Sequence, residues 1–215
     1  MKLLFSILVF TVLLFTFLIF ISPKPVHNQT SFPWEITITP EGNPKVFGLT
    51  LNKSTLEKAI EIFQISPEMK LFENNAGRQY LEAYFKNVET KGIRAKVIVN
   101  IEIPEEKREV FRISNQDRPL KPNEEIKSPI SDHQQSVALY LPISTISYLP
   151  SVQLDAKLLE MRFGHPLKIV KESATIEHWQ YPSRGLNIIV NHDGKDVIQY
   201  TSASTAKQNT TKISH

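Results

Sequence analysis

A chain of 215 residues without a single cysteine excludes a disulfide scaffold and a lipoprotein attached through a lipid-bearing cysteine. Its 25 basic and 22 acidic residues leave a formal net charge of +3, and the two signs are interspersed. This pattern gives no support to a nucleic-acid partner, so we expect none.

The N-terminus is dominated by an apolar run, residues 3–21, that contains no charge, proline or glycine. In a helix this run would rise about 28 Å, close to the hydrocarbon thickness of a bilayer. We predict a transmembrane signal anchor over residues 1–22. Cleavage as a signal peptide stays open as the alternative, although the run is long for one and bulky residues and prolines follow it.

The charges around the apolar run indicate its orientation. Lys2 precedes it and Lys24 follows it, which weakly favours a cytoplasmic N-terminus by the positive-inside rule. We therefore expect a single-pass inner-membrane protein with its body in the periplasm, or a body secreted to the periplasm if the signal is cleaved.

Residues 23–42 are rich in proline and polar residues and are predicted to be a linker. The first folded unit, residues 43–113, begins with a helix over Lys53–Gln64, with Ser54 and Glu57 as a capping box. Three strands and a short final helix are expected after it. They are Met69–Glu73, Arg78–Asn87, Ile93–Ile103 and, for the helix, Glu105–Ile113.

Residues 114–135 hold three prolines and many charges and are predicted to be a loop. The second unit, residues 136–201, opens with a strand at Ser136–Leu141 or at Ile146–Leu149. A helix from about Leu154 to Phe163 follows, with Gly164 as its cap. Four strands complete the unit: Leu167–Lys171, Thr175–Tyr181, Leu186–Asn191 and Val197–Thr201. The polar tail, residues 202–215, is expected to be disordered.

The expected fold class is α+β, with an N-terminal transmembrane helix and two helix-on-antiparallel-sheet units. The two units can be laid over each other, with Pro67 matching Pro166 and Tyr80 matching Trp179. A duplication is one explanation. The alternative is that any two α+β units share a helix followed by a meander.

The second unit carries a family resemblance. A helix ending in Phe163-Gly164-His165-Pro166, the pair Trp179 and Tyr181 and a final hairpin to Tyr200 resemble the small outer-membrane assembly lipoproteins (SmpA/OmlA). That family is related to β-lactamase-inhibitor-protein modules. The resemblance implies a non-catalytic envelope interaction module with helices packed on a small antiparallel sheet. The family's lipid-bearing cysteine is missing here.

No catalytic signature accompanies this layout. The chain lacks paired metal-binding histidines on a helix, a nucleophile elbow and a phosphate-binding loop. We therefore predict no catalytic residue, no metal ligand and no cofactor, and the match of Ser204 and Lys207 to S-x-x-K falls in the polar tail. An envelope hydrolase that uses His178 or His192 stays open as the alternative function.

Aromatic residues on strands are the candidate binding residues: Tyr80, Tyr84, Trp179 and Tyr181. Aromatic side chains are enriched where proteins bind each other, but a strand also packs aromatics against its own helix. The predicted function is a membrane-anchored periplasmic binding or scaffold module of the bacterial cell envelope. It would not be an enzyme, and its partner would be an unidentified envelope protein.

Overall fold

The structure, a computed structural model, describes residues 31–74, 78–113 and 126–202. The predicted signal anchor, the first part of the predicted linker and all but the first residue of the predicted tail lie outside these ranges. Within the described ranges no helix is both long enough and apolar enough to cross a membrane.

The described residues form an α+β fold that is mostly sheet, as the sequence predicts. The described residues contain three helices: α1 (Leu56–Phe63), α2 (Asp132–Ala138) and α3 (Ala156–Phe163). The strands are β1 (Thr37–Ile38), β2 (Pro44–Val46), β3 (Leu49–Thr50), β4 (Glu68–Glu73), β5 (Gln79–Thr90), β6 (Ile93–Glu102), β7 (Ile126–Pro129), β8 (Thr145–Pro150), β9 (Lys168–Lys171), β10 (Ile176–Tyr181), β11 (Leu186–Asn191) and β12 (Val197–Thr201).

Nine of the strands form one antiparallel sheet in the order β7-β4-β5-β6-β8-β12-β11-β10-β9. The pairing of β6 with β8, in which Val97 lies opposite Tyr148, joins the strands of the two predicted units edge to edge. Strands β1, β2 and β3 form a separate small sheet. Whether the two halves arose by duplication stays a prediction.

One face of the large sheet carries the hydrophobic core. Along β5 the buried residues Leu81, Ala83 and Phe85 alternate with half-buried ones, the period-two pattern of a sheet with one covered face. Phe63 of α1 packs edge-on against Phe85 with ring centroids 5.1 Å apart. Helix α1 therefore covers this face, which we call the helix face.

Phe47 lies at the centre of the helix face. It is fully buried, and its ring stands 5.2 Å from that of Tyr148 and 5.8 Å from that of Tyr200. Because Tyr148 is on β8 and Tyr200 on β12, this one side chain packs against the middle of the sheet. The strands of both predicted units thus share one core.

Helix α1 begins at Leu56 and not at Lys53, and its capping residue lies one position later than predicted. Thr55, and not Ser54, is the cap, because its hydroxyl accepts the Lys58 amide hydrogen. The Ser54 hydroxyl instead accepts the Thr50 amide hydrogen at 2.9 Å, which holds the turn after β3. The predicted capping box of Ser54 and Glu57 is therefore wrong, although the helix itself is confirmed.

The C-terminal end of α3 agrees with the sequence prediction. Gly164 follows the last helical residue with φ 79° and donates its amide hydrogen to Glu160. The turn between β10 and β11 also depends on a glycine. Gly185 has φ 55°, and a Cβ placed on it would lie 2.5 Å from the Thr201 carbonyl oxygen. Only glycine fits both the conformation and the space there.

Residues 126–138 differ from the predicted loop of residues 114–135. Strand β7 pairs with β4, and α2 begins at a complete capping box in which Ser131 and Gln134 satisfy each other's backbone amides. Because α2 extends to Ala138, the alternative strand Ser136–Leu141 is wrong and the strand near Ile146–Leu149 is confirmed as β8. The expected helix Glu105–Ile113 is a single 3-10 turn, Glu105–Lys107, followed by turns.

The second half of the predicted linker, residues 31–42, packs on the body. The Phe47 amide donates to Ser31 Oγ at 2.8 Å, and the buried Tyr200 hydroxyl donates to the Pro33 carbonyl at 2.6 Å. Strand β1 then pairs with β2. Residues 31–33 are therefore held to the core by hydrogen bonds.

Candidate binding surface on the open sheet face

The second face of the large sheet, which we call the open face, carries the side chains that alternate with the core. On β5 these are Tyr80, Glu82 and Tyr84, all half-buried. The helices lie on the other side: α1 packs on Phe85, and α2 adjoins α1 through the bond from the Glu57 amide to the Leu139 carbonyl. No described helix packs on the open face.

An aromatic stack lies at one end of the open face. The rings of Phe72 on β4 and Tyr80 on β5 are nearly parallel, with centroids 5.3 Å apart. The Lys127 ammonium of β7 stands 5.6 Å from the centre of the Phe72 ring. A cation–π contact of this kind stabilises the lysine position by roughly 0.5–1 kcal/mol at an exposed site. The pairing of β4 with β5 and β7 therefore places two stacked rings side by side, with a lysine ammonium over one of them.

A groove of about 250 Å³ runs beside this stack. Its walls include Lys70, Phe72, Tyr84 and Lys127, with Ile98 from the next strand. It offers an apolar surface for burial together with lysine and glutamate side chains for hydrogen bonds. This combination of a few polar groups with exposed aromatic surface is typical of ligand and protein contact sites.

Charged side chains at the rim of the groove are paired with each other. Lys86 bonds Glu68 at 2.5 Å and its ammonium stands 5.7 Å from the Tyr84 ring centre. The bond to Lys86 lowers the pKa of the Glu68 carboxyl, and the same bond raises the pKa of Lys86. Both groups therefore stay charged over a wide pH range around neutrality, and the rim of the groove keeps its charge pattern.

The four predicted binding aromatics are divided between the two faces. Tyr80 and Tyr84 lie on the open face, as described. Trp179 and Tyr181 are only 7% and 5% exposed and belong to the core on the helix face. The Tyr181 hydroxyl donates to the Gly164 carbonyl at the end of α3, and burial raises its pKa. Trp179 and Tyr181 are therefore not available to a partner in this structure.

Phe72 and Lys127, which line the groove, are not among the binding residues predicted from the sequence. The alternation of Glu68, Lys70 and Phe72 along β4 is a signal that could have placed Phe72 beside Tyr80. Lys127 had no such signal, because the strand that carries it lies in a segment rich in proline and charge.

His178, a candidate of the alternative enzymatic function, does have a carboxylate neighbour. Its Nε2 lies 2.6 Å from Glu172 Oε2, and the Asn187 amide donates to its Nδ1 at 3.2 Å. Both ring nitrogens are thus engaged. A general base needs one ring nitrogen directed at the group that it deprotonates, so this arrangement orients the imidazole without leaving it free to act.

His192 lies apart from His178. The His192 amide bonds the Thr175 carbonyl, three residues from His178 along the sequence, which is about 10 Å in a strand. The nearby carboxylate of Asp196 is buried and accepts the amide hydrogens of Leu154 and Asn191. It therefore fastens the β11–β12 hairpin to the segment before α3.

Comparisons with known proteins give no relative. No protein-family model, no curated protein and no solved structure matches the chain. Among the described residues no group of three or more histidine, aspartate or glutamate side chains could hold a metal ion.

Proposed function

We propose that this protein is a membrane-anchored, periplasmic binding module without catalytic activity, which captures an envelope protein on the open face of its sheet. The relationship to the small outer-membrane assembly lipoproteins belongs to the same proposal. The observation that carries it is the aromatic and lysine-lined groove at Tyr84, on a sheet face that no described helix covers.

The composition of the groove favours a protein partner. Tyr84 and the Phe72–Tyr80 stack provide large, rigid surfaces of the type that dominates binding energy at protein interfaces. Lys70 and Lys127 flank these rings and can pair with carboxylates of a partner. A membrane anchor would also confine the body to the bilayer surface, which raises its effective concentration toward partners held there.

Photocrosslinking in intact cells tests this proposal. A photoreactive amino acid replaces Tyr84 in one variant and Tyr140 in a matched control. Tyr140 is 66% exposed and lies beside α2, on the helix side of the molecule. We expect a discrete crosslinked protein from position 84 and none from position 140. Equal crosslinking from both positions, or none from position 84, would contradict the proposal.

The alternative, an envelope hydrolase, draws on the contact between His178 and Glu172. In this structure Asn187 occupies the remaining ring nitrogen, so a base mechanism would require the Asn187 side chain to move away. A His178→Gln variant separates the two functions. Loss of a hydrolytic activity with retained crosslinking from position 84 would favour the enzyme.

A further inference from the structure

The surface around α3 combines exposed apolar side chains with basic ones. Met161, Leu167 and Ile169 are 68%, 81% and 48% exposed. They are three of the six large apolar side chains that the described residues leave exposed, and all three fall within nine residues of chain. Burying such side chains in contact with a partner or a lipid phase is favourable.

The same segment is basic. Residues 156–171 contain four lysine or arginine residues and one glutamate. Lys157 and Lys168 are exposed, while Arg162 lies over a tryptophan ring and Lys171 faces Glu177 at 3.7 Å. Glu160, the one acid within the segment, is paired with His165. Of the flanking acids, Asp155 caps α3 and Glu172 bonds His178, so the segment presents a net positive, partly apolar surface.

This surface lies beside the first described residues of the chain. The Phe32 and Trp34 rings are stacked 4.8 Å apart, and Trp34 meets Phe163 of α3 edge-on at 6.4 Å. The Arg162 guanidinium stands 4.7 Å from the Trp34 ring centre. The last turn of α3 is therefore adjacent to residues 31–34, which lie nine residues beyond the end of the apolar run.

The length of the intervening chain limits how far Ser31 can be from a membrane that holds the apolar run. Nine residues, 22–30, separate Ile21, the last of the apolar run, from Ser31. Even in a fully extended chain, the ten steps from Ile21 to Ser31 span about 35 Å. Because Ser31 is bonded to the body, the surface around α3 must lie within one protein diameter of any bilayer that residues 3–21 enter.

We propose that the segment Ala156–Lys171 forms a lipid-facing patch that rests on the anionic headgroups of the membrane entered by residues 3–21. The inference rests on the membrane attachment in the proposed function. Lys157 of α3, one turn before Met161, meets lipid phosphates, and Met161 and Leu167 enter the headgroup region, as in proteins that bind membranes by combining apolar and basic side chains. Lys168 pairs with Gln180 on the open face of the sheet, so it is not part of this contact. The patch would fix the orientation of the body on the bilayer.

The absence of native cysteine permits a clean test with single-cysteine variants. Leu167→Cys and the control Tyr140→Cys carry a nitroxide spin label on the full-length chain. Each is reconstituted in vesicles of phosphatidylcholine alone or mixed equally with phosphatidylglycerol. Both positions are strongly exposed, so neither substitution should disturb the fold.

We expect the mixed vesicles to lower the accessibility of the label at position 167 to a water-soluble relaxing agent at least fivefold. The label at position 140 should not change. Adding Lys157→Glu should reverse the effect about fivefold, since each basic residue contributes on this scale at an anionic surface. Lys96→Glu, the same charge change on the open face, should leave it intact.

Equal accessibility at positions 167 and 140 in mixed vesicles would overturn the lipid-facing patch. Protection at position 167 that Lys157→Glu leaves unchanged, or that Lys96→Glu reduces equally, would also overturn it. The partner-binding role has a separate readout: protection at position 167 without any crosslink from position 84 would refute capture on the open face and leave the patch standing. Failure of the full-length chain to sediment with vesicles would overturn the patch and the membrane attachment together.

Discussion

The division of the aromatic residues between two faces predicts opposite consequences for two alanine substitutions. Trp179 is 7% exposed and lies across from Ile188 in the core. Removing a buried tryptophan costs about 3–5 kcal/mol, from lost burial and the cavity left behind. Tyr84 is half-buried on the open face and lies across from Glu68 and Ile98. Cross-strand pairs of this type contribute about 0.2–1 kcal/mol each.

The two losses of free energy predict decreases of different size in the melting temperature (Tm). For a chain of this size about 1 kcal/mol shifts Tm by about 2–4 °C. Trp179→Ala should therefore lower Tm by about 6–20 °C, and Tyr84→Ala by no more than about 4–8 °C. Thermal unfolding of the purified full-length protein, followed by far-UV circular dichroism, measures both. A Trp179→Ala variant as stable as Tyr84→Ala would refute the assignment of the helix face as the core.

Further substitutions test other contacts of the structure. Tyr200→Phe removes the donor to the buried Pro33 carbonyl and should cost about 1–3 kcal/mol in chemical denaturation; an unchanged midpoint would mean that residues 31–34 are not held to the sheet. Gly185→Ala should destabilise more than Gly92→Ala, because both have positive φ but only Gly185 has a backbone oxygen in the way of a Cβ; equal losses would contradict this turn. Burial raises the pKa of Tyr200 and of Tyr148 above 10, so the fold favours their neutral forms. The contribution of these two neutral tyrosines to the free energy of unfolding is complete below pH 10. It is lost as the pH rises above 10, because the tyrosines of the unfolded chain ionise first. The denaturant midpoint of unfolding should therefore decrease as the pH is raised above 10, and it should decrease less steeply in Tyr200→Phe. An identical dependence of the midpoint on pH in the two proteins would count against a buried Tyr200 hydroxyl.

Local signals in the sequence predict much of the sheet. Strand-like runs of residues predict β4, β5, β6 and β9–β12, and Gly164 caps α3 as expected. Such signals act between neighbours in the chain. They do not reveal that β6 pairs with β8, since that pairing joins residues about fifty positions apart.

The candidate site shows the same limit. Tyr80 and Tyr84 were identified because they share one face of a single strand. Trp179 is also an aromatic residue on a strand, but its exposure depends on which face of the sheet the helices cover. Only the packing of α1 and α3 determines that face. Lys127 reaches Phe72 through the pairing of β7 with β4, a contact across a segment with no strand pattern of its own.

The affinity of the crosslinked partner for alanine variants tests the central claim most directly. A central aromatic contact contributes at least about 2 kcal/mol to an interface, which is about thirtyfold in the dissociation constant. Tyr84→Ala should therefore weaken binding about thirtyfold or more, while Tyr140→Ala should stay within about twofold of the unmodified chain. If Tyr84→Ala binds normally while Tyr140→Ala does not, the partner docks on the helix side and the open face is not the binding surface.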